Sequence, residues 1–149
     1  MFDVHKKTSS LVMVFCDGWP ELTVSKEKAW DHLAETAVPL MNDIINKHYK
    51  PGGTIIRAMA AKLFAGERIT PHTDKHPSFH IAHRIHIPIT TNDLVRFTIG
   101  SRPFHLEVGK VYEVNNQNTH SVMNRGKEDR ITFIFDYMPP DIREKASSA

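Results

Sequence analysis

Residues 84–89 read Arg84-Ile85-His86-Ile87-Pro88-Ile89, and this alternation is the strongest fold signal in the chain. Successive side chains of a β-strand point to opposite faces of the sheet, so the three isoleucines share one face. Arg84 and His86 share the other. That second face meets water in an ordinary half-exposed strand, whereas it lines an interior space in an enclosed fold. Both alternatives stay open for this strand taken alone.

A second alternating stretch, residues 130–136, raises the same question nearer the C-terminus. Its apolar face carries Ile131, Phe133 and Phe135, and the opposite face carries Arg130, Thr132, Ile134 and Asp136. An isoleucine on the same face as charged residues indicates a partly enclosed lining. A guanidinium there requires a carboxylate partner in bidentate geometry, supplied by the protein or by a bound organic acid.

Short strand-like segments with turn residues between them fill the chain between residues 54 and 138. The predicted strands are 54–64, 67–73, 84–89, 94–99, 102–106, 111–114, 121–124 and 131–137. Eight short strands at this spacing indicate a mainly β fold, a sandwich or barrel. We expect a helical segment before residue 54 to pack on its outside.

The N-terminal part predicts one strand-length segment and one helix. Residues 11–15 are a short apolar run, either a first strand or a packed entry segment. Ser25 resembles a helix start, and apolar residues then recur at three- and four-residue intervals up to Pro51. Pro39 lies inside this pattern and is expected to kink or split the helix. Trp19 and Trp30 are expected to pack between helix and sheet.

Length and composition place the chain among ordinary globular proteins. Its 149 residues predict a single domain over 1–149, with N-terminal support in 1–53, a β core in 54–138 and a flexible tail in 139–149. A net charge of +2 is too small to indicate a nucleic-acid partner. No apolar stretch approaches the roughly 20 residues of a membrane span. A lone Cys16 and the absence of a signal-like apolar run favour a reducing cytoplasm.

The candidate chemistry lies in the segment around His72 and Asp74. These residues are two apart, so on a strand both side chains point the same way, with Cα atoms about 7 Å apart. Two imidazoles and one carboxylate that leave other coordination positions open are typical of non-haem Fe(II) oxygenases. A single later histidine would complete the set, and His120 is the predicted third ligand.

Five motifs in order resemble the aspartyl/asparaginyl β-hydroxylase family, which is similar in turn to bacterial proline hydroxylases. They are His72-x-Asp74, the segment from Arg84-x-His86 to Asn92, Gly109-x-Val111-Tyr112-x-Val114, His120-Ser121-Val122-x-Asn124, and Asp129-Arg130-Ile131-x-Phe133-Ile134-x-Asp136. The resemblance covers residues 54–138. It implies a double-stranded β-helix, the cupin-like jelly roll, and an oxygenase that uses Fe(II), 2-oxoglutarate and O₂.

The resemblance also implies roles for individual residues. His72, Asp74 and His120 match metal ligands, and Arg130 matches the arginine that holds the distal carboxylate of 2-oxoglutarate. Arg84 and His86 match a basic pair that meets either the cosubstrate or an acidic group of the substrate. The expected reaction hydroxylates an amino acid, or an Asp-, Asn- or Pro-type side chain in a peptide, and releases succinate and CO₂.

Three rival interpretations remain at this level. A cupin-like enzyme could use the metal without 2-oxoglutarate, a non-catalytic module could bind a metal or small molecule, or the histidines could be scattered polar residues. The expected partner is a small amino acid or a peptide, with no nucleic acid and no membrane. The oligomeric state is left open.

Overall fold

The computed structural model of the protein describes residues 7–141, which form ten strands and one α-helix. In chain order the elements are β1 Thr8–Asp17, β2 Thr23–Lys26, α1 Trp30–His48, β3 Thr54–Leu63, β4 Arg68–His72, a 3-10 turn Pro77–His80, β5 His83–Thr90, β6 Val95–Ile99, β7 Arg102–Phe104, β8 Tyr112–Val114, β9 His120–Asn124 and β10 Arg130–Met138.

The strands form two antiparallel sheets. The larger sheet has the order β2-β1-β3-β10-β5-β8, and the smaller sheet has the order β4-β9-β6-β7. From β3 onwards the chain passes back and forth between the two sheets, which is the winding of a double-stranded β-helix. The predicted jelly roll is therefore confirmed, and strands appear within one or two residues of each range predicted between 54 and 138.

The alternation of β5 and β10 divides the large sheet into two faces as predicted. Ile85, Ile87, Phe133 and Phe135 are buried in one cluster with the apolar face of α1. The opposite face points into the space between the sheets, where His86 contacts Phe97 of the small sheet with ring centroids 5.5 Å apart. The polar residues of β5 and β10 thus line an interior, and the water-facing alternative is wrong.

The start of the helix differs from the sequence prediction. Residues Thr23–Lys26 form an edge strand on β1, with Ser25 opposite Phe15, and α1 begins at Trp30. The Ser25 hydroxyl donates to the Glu27 carboxylate at 2.7 Å and does not cap the helix. Backbone pairing with β1 therefore overrides the local helix-start signal, because the strand satisfies backbone groups that a helix end leaves unpaired.

Two further expectations about the N-terminal part differ from the structure. Pro39 does not split α1, which runs unbroken from Trp30 to His48 because Ala37, Met41 and Ile44 hold it against the sheet, and a kink at Pro39 stays a prediction. Trp19 is 42% exposed and meets His76 edge-on, so it does not pack between helix and sheet. Trp30 does pack against the core, as expected.

No helix within residues 7–141 combines the length and apolar character needed to cross a lipid bilayer. The predicted flexible tail lies mostly outside the described residues, which end at Asp141.

Candidate metal centre

The predicted metal ligands meet at one end of the small sheet. β4 ends at His72 and β9 begins at His120, and the antiparallel register places these two residues opposite each other. The chain leaves this end of the sheet through residues 73–82 and enters it through residues 115–119. Asp74 lies in the first of these connections, and its backbone N–H donates to the carbonyl of Asn116 in the second, at 3.3 Å.

The three side chains form a compact group. One ligand atom from each of His72, Asp74 and His120 lies within 4.8 Å of the others. The Nε2 atoms of the two histidines are each 3.8 Å from a carboxylate oxygen of Asp74, and the two rings are 4.4 Å apart. His120 is buried and His72 is exposed, so the group opens to solvent on one side.

Backbone carbonyls orient both rings for metal binding. Nδ1 of His72 lies 2.8 Å from the carbonyl oxygen of Thr70, and Nδ1 of His120 lies 2.9 Å from that of Asn118. A carbonyl only accepts hydrogen bonds, so each Nδ1 carries the proton and each Nε2 presents its lone pair to the group. Two imidazole nitrogens and a carboxylate fit Fe(II), and a metal bound to them keeps open positions.

The sequence placed Asp136 on the same face as Arg130 but did not predict that it pairs with two buried arginines. Asp136 is fully buried on β10, which lies between β3 and β5. In register it is opposite Arg57 of β3 on one side and Arg84 of β5 on the other. Arg84 donates from Nε and Nη2 to the two oxygens of Asp136, at 2.8 and 2.9 Å. Its Nη1 donates to Asp74 at 3.4 Å. Arg84 thus connects the buried carboxylate to the exposed end of the site.

Arg57 completes this network from the other side. It donates to Asp136 at 3.2 Å and to the Ser78 hydroxyl at 2.6 Å. The Phe79 ring covers both guanidiniums, 4.0 Å from that of Arg57 and 4.9 Å from that of Arg84. Burial alone would lower the pKa of Arg84, but hydrogen bonding and charge from Asp136, with the charge of Asp74, raise it above its ordinary value.

Arg130 lies in a different environment in the same interior. It is buried and donates to the Thr132 hydroxyl at 2.8 Å, and no carboxylate of residues 7–141 pairs with it. Burial lowers the pKa of Arg130 to about 10. A buried cation without a counter-ion is costly, so this guanidinium is suited to an anionic ligand.

His86 and Phe97 connect Arg130 to the metal group. Both line the cavity that contains Arg130, and the Phe97 ring stacks on His120 with centroids 6.1 Å apart. Burial, together with the positive charges of Arg84 and Arg130, holds the pKa of His86 well below its ordinary range. His86 is therefore neutral. A cosubstrate or substrate role for Arg84 and His86 stays a prediction, and the contacts of Arg84 favour an orienting role.

Family comparison agrees with this geometry. Residues 3–140 match the model of the aspartyl/asparaginyl beta-hydroxylase family, and the chain belongs to that family. It is thus a member of a hydroxylase family, that is, of a class of oxidoreductases. No curated protein matches the chain.

Solved structures share the fold at low sequence identity. A 2OG-Fe(II) oxygenase family protein from Burkholderia pseudomallei aligns with a TM-score of 0.65 and 12% identity, covering 89% of this chain and 68% of that one. A predicted oxalate decarboxylase from Thermotoga maritima aligns with a TM-score of 0.45 and 15% identity, covering 56% and 67%. At these identities the first likeness establishes the fold alone.

Metal uptake provides the first test of the site. We expect one equivalent of Co(II) or Mn(II) to bind, and His72→Ala to weaken metal binding on the order of 100-fold. Even loss of a residue that only hydrogen-bonds to a metal ligand lowers metal affinity about 10- to 100-fold. His105→Ala is the matched control, because that ring contacts the Val95 carbonyl and lies outside the group. Unchanged uptake in His72→Ala would show that the histidines are not ligands.

Replacement of the buried carboxylate tests the network. Asp136→Asn removes the charge that holds Arg84, so we expect metal affinity to fall about 10-fold or more and the unfolding free energy to fall by about 3–5 kcal/mol. Metal titration and urea denaturation measure the two effects, with the exposed Asp93→Asn as control. Equal metal affinity in a folded Asp136→Asn protein would contradict the link from Asp136 to Asp74.

The buried neutral His86 predicts a loss of stability in acid. Its folded pKa lies below the unfolded value of 6.5, so the unfolded chain takes up more protons as the pH falls through 6.5. The unfolding free energy of the metal-free protein should therefore fall by about 1 kcal/mol between pH 7.5 and 5.5. The His86→Gln protein should not show this loss. Urea unfolding of both proteins at the two pH values measures the difference, and identical pH dependence is the contrary result.

Proposed function

We propose that the protein is an Fe(II)- and 2-oxoglutarate-dependent dioxygenase that hydroxylates an amino acid or a peptidyl Asp-, Asn- or Pro-type side chain. The observation that carries the proposal is the group His72, Asp74 and His120, whose Nε2 and carboxylate atoms converge, together with the buried Arg130, which has no carboxylate partner among residues 7–141. Phe97 connects the two features, because it lines the cavity that contains Arg130 and stacks on His120. Membership of the hydroxylase family supports the same reaction class.

The chain's own residues have separate tasks in this reaction. Iron with 2-oxoglutarate and O₂ supplies the oxidation, in which one oxygen atom enters succinate, the other enters a C–H bond of the substrate, and CO₂ is released. Arg130 would hold the distal carboxylate of the cosubstrate. Its guanidinium donates a hydrogen bond to the Thr132 hydroxyl, which orients it. Neutral His86 adds no further charge to the pocket. Arg84 contacts Oδ2 of Asp74, which leaves Oδ1 to face His72.

The space beside Arg130 is narrow. The cavity that His86, Phe97, Val122 and Arg130 help to line measures about 10 Å³, room for about one water molecule. Entry of a five-carbon dicarboxylate therefore requires side chains of this lining to move. The same observation favours the alternative that this protein is a cupin-like metal- or small-molecule-binding protein that does not use 2-oxoglutarate, either as a different enzyme or as a non-catalytic module.

The proposed cellular location follows from the same chemistry. Fe(II) and the buried free thiol of Cys16 both suit a reducing compartment, and we place the protein in the cytoplasm. The partner is a small amino acid or a polypeptide, and no nucleic-acid or membrane partner is proposed.

A 2-oxoglutarate turnover assay separates the proposal from its alternative. With Fe(II), ascorbate and a panel of free amino acids and short peptides, we expect succinate release that is abolished in His72→Ala. Arg130→Ala should raise the KM for 2-oxoglutarate about 10-fold or more, because a charge-assisted bidentate contact contributes about 1.5–3 kcal/mol.

Arg102→Ala is the matched control, since this arginine is exposed on the surface of the protein. Fluorescence or calorimetric titration of 2-oxoglutarate into the metal-loaded protein gives a readout that needs no substrate. Equal 2-oxoglutarate affinity in the Arg130→Ala and native proteins would support the alternative.

A further inference from the structure

The outer face of the small sheet carries a cationic groove that the metal site does not use. Side chains at alternate positions of β4, β9 and β6 point outwards, away from the interior. Arg68 and Arg96 lie on either side of Met123, each opposite it in register. The next row places Ser121 opposite Thr98, and Thr98 opposite Pro103. Together with Arg125 these residues line a groove of about 620 Å³.

The groove has an unbalanced positive charge. Its lining includes the three arginines Arg68, Arg96 and Arg125 and no acidic side chain. None of the three forms an ion pair with a residue of the described chain, 7–141. Arg96 donates to the carbonyls of Asp93 and Val95 at 2.7 and 2.9 Å, contacts that orient the guanidinium without neutralising it. The chain as a whole has 19 basic and 17 acidic residues, so a basic composition does not account for this groove.

The lining chemistry selects one class of ligand. Guanidinium groups bind carboxylates in bidentate geometry, and the hydroxyls of Thr70, Thr98 and Ser121 add further donors. Leu94, Met123 and Pro103 provide an apolar surface between the charges. No aromatic side chain lines the groove, so it lacks the stacking platform on which single-stranded nucleic acids bind.

We propose that this groove binds an extended, acidic segment of a polypeptide. Arg68 and Arg96 are two strands apart, so their Cα atoms are separated by about 10 Å. Acidic side chains on one face of an extended chain recur about every 7 Å, and the long arginine side chains reach two of them. The apolar surface then contacts side chains between the acidic positions.

The groove ends beside the metal group. Thr70 is two residues from His72, and Ser121 follows His120 directly, so a segment bound in the groove leaves it close to the opening of the site. A role in presenting a polypeptide substrate rests on the proposed function. Peptide binding itself does not, and metal-free protein is sufficient to measure it.

Fluorescence anisotropy with a labelled octapeptide that alternates glutamate with leucine or serine tests the proposal. We expect saturable binding at physiological salt, and weaker binding of the same peptide with glutamine in place of glutamate. Arg68→Glu and Arg96→Glu should each weaken binding about tenfold or more, the loss expected for one charge-assisted contact. Arg68→Gln and Arg96→Gln show whether loss of the positive charge alone weakens binding in the same way.

Lys28→Glu is the matched control, because it reverses one exposed charge between β2 of the large sheet and α1, whereas the groove lies on the small sheet. It should change affinity less than twofold, a limit that excludes general electrostatic attraction. Equal binding of the glutamine peptide, an equal loss in Lys28→Glu, or tighter Arg68-dependent binding of an octathymidylate oligonucleotide would each overturn the proposal. Far-UV circular dichroism checks that these surface variants are folded.

Discussion

The buried carboxylate of Asp136 is the contact on which the interior of this protein depends. It lies on the central strand of three neighbours, and guanidiniums approach it from the strand on each side. Charged groups are costly to bury unless they are paired and hydrogen-bonded. One carboxylate therefore makes it possible to keep Arg57 and Arg84 inside a sheet that is apolar on its other face.

This pairing is better understood as a positional constraint than as a source of stability. Buried ion pairs repay their desolvation only in good geometry, yet their disruption is expensive because it leaves a charge alone. Asp136 accepts hydrogen bonds from Nε and Nη2 of Arg84, and the Phe79 ring covers the guanidiniums of Arg57 and Arg84. The first residues of β5 are thereby held against β10. Arg84 extends the constraint to Asp74, outside the regular sheet.

The interior contains two kinds of buried arginine, and the difference between them marks the site. Arg57 and Arg84 have carboxylate partners within the fold, whereas Arg130 has only the Thr132 hydroxyl among the described residues. Burial accordingly lowers the pKa of Arg130, while the paired Arg84 has a raised pKa. Because no carboxylate of residues 7–141 neutralises it, the Arg130 guanidinium is available to pair with an anion. Phe97 lines the same cavity as Arg130, and its ring stacks on His120 of the metal group.

The short strands between residues 54 and 138 predicted a sandwich or barrel, and the alternation in residues 84–89 and 130–136 predicted which side chains share a face. Such patterns are local, and the side chains of a strand follow them wherever the strand lies. The jelly roll and the roles of the site residues were implied by the resemblance to a known family. The edge strand β2 and the start of α1 escaped prediction because pairing with β1 outweighed the local signal at Ser25. Only the tertiary structure decided that Arg84 and Arg57 pair with Asp136, while Arg130 has no carboxylate partner among residues 7–141. The contacts of Asp136 with Arg84 and Arg57 join residues 52 and 79 positions apart through the register of β10 with its neighbours, and no local pattern specifies that register.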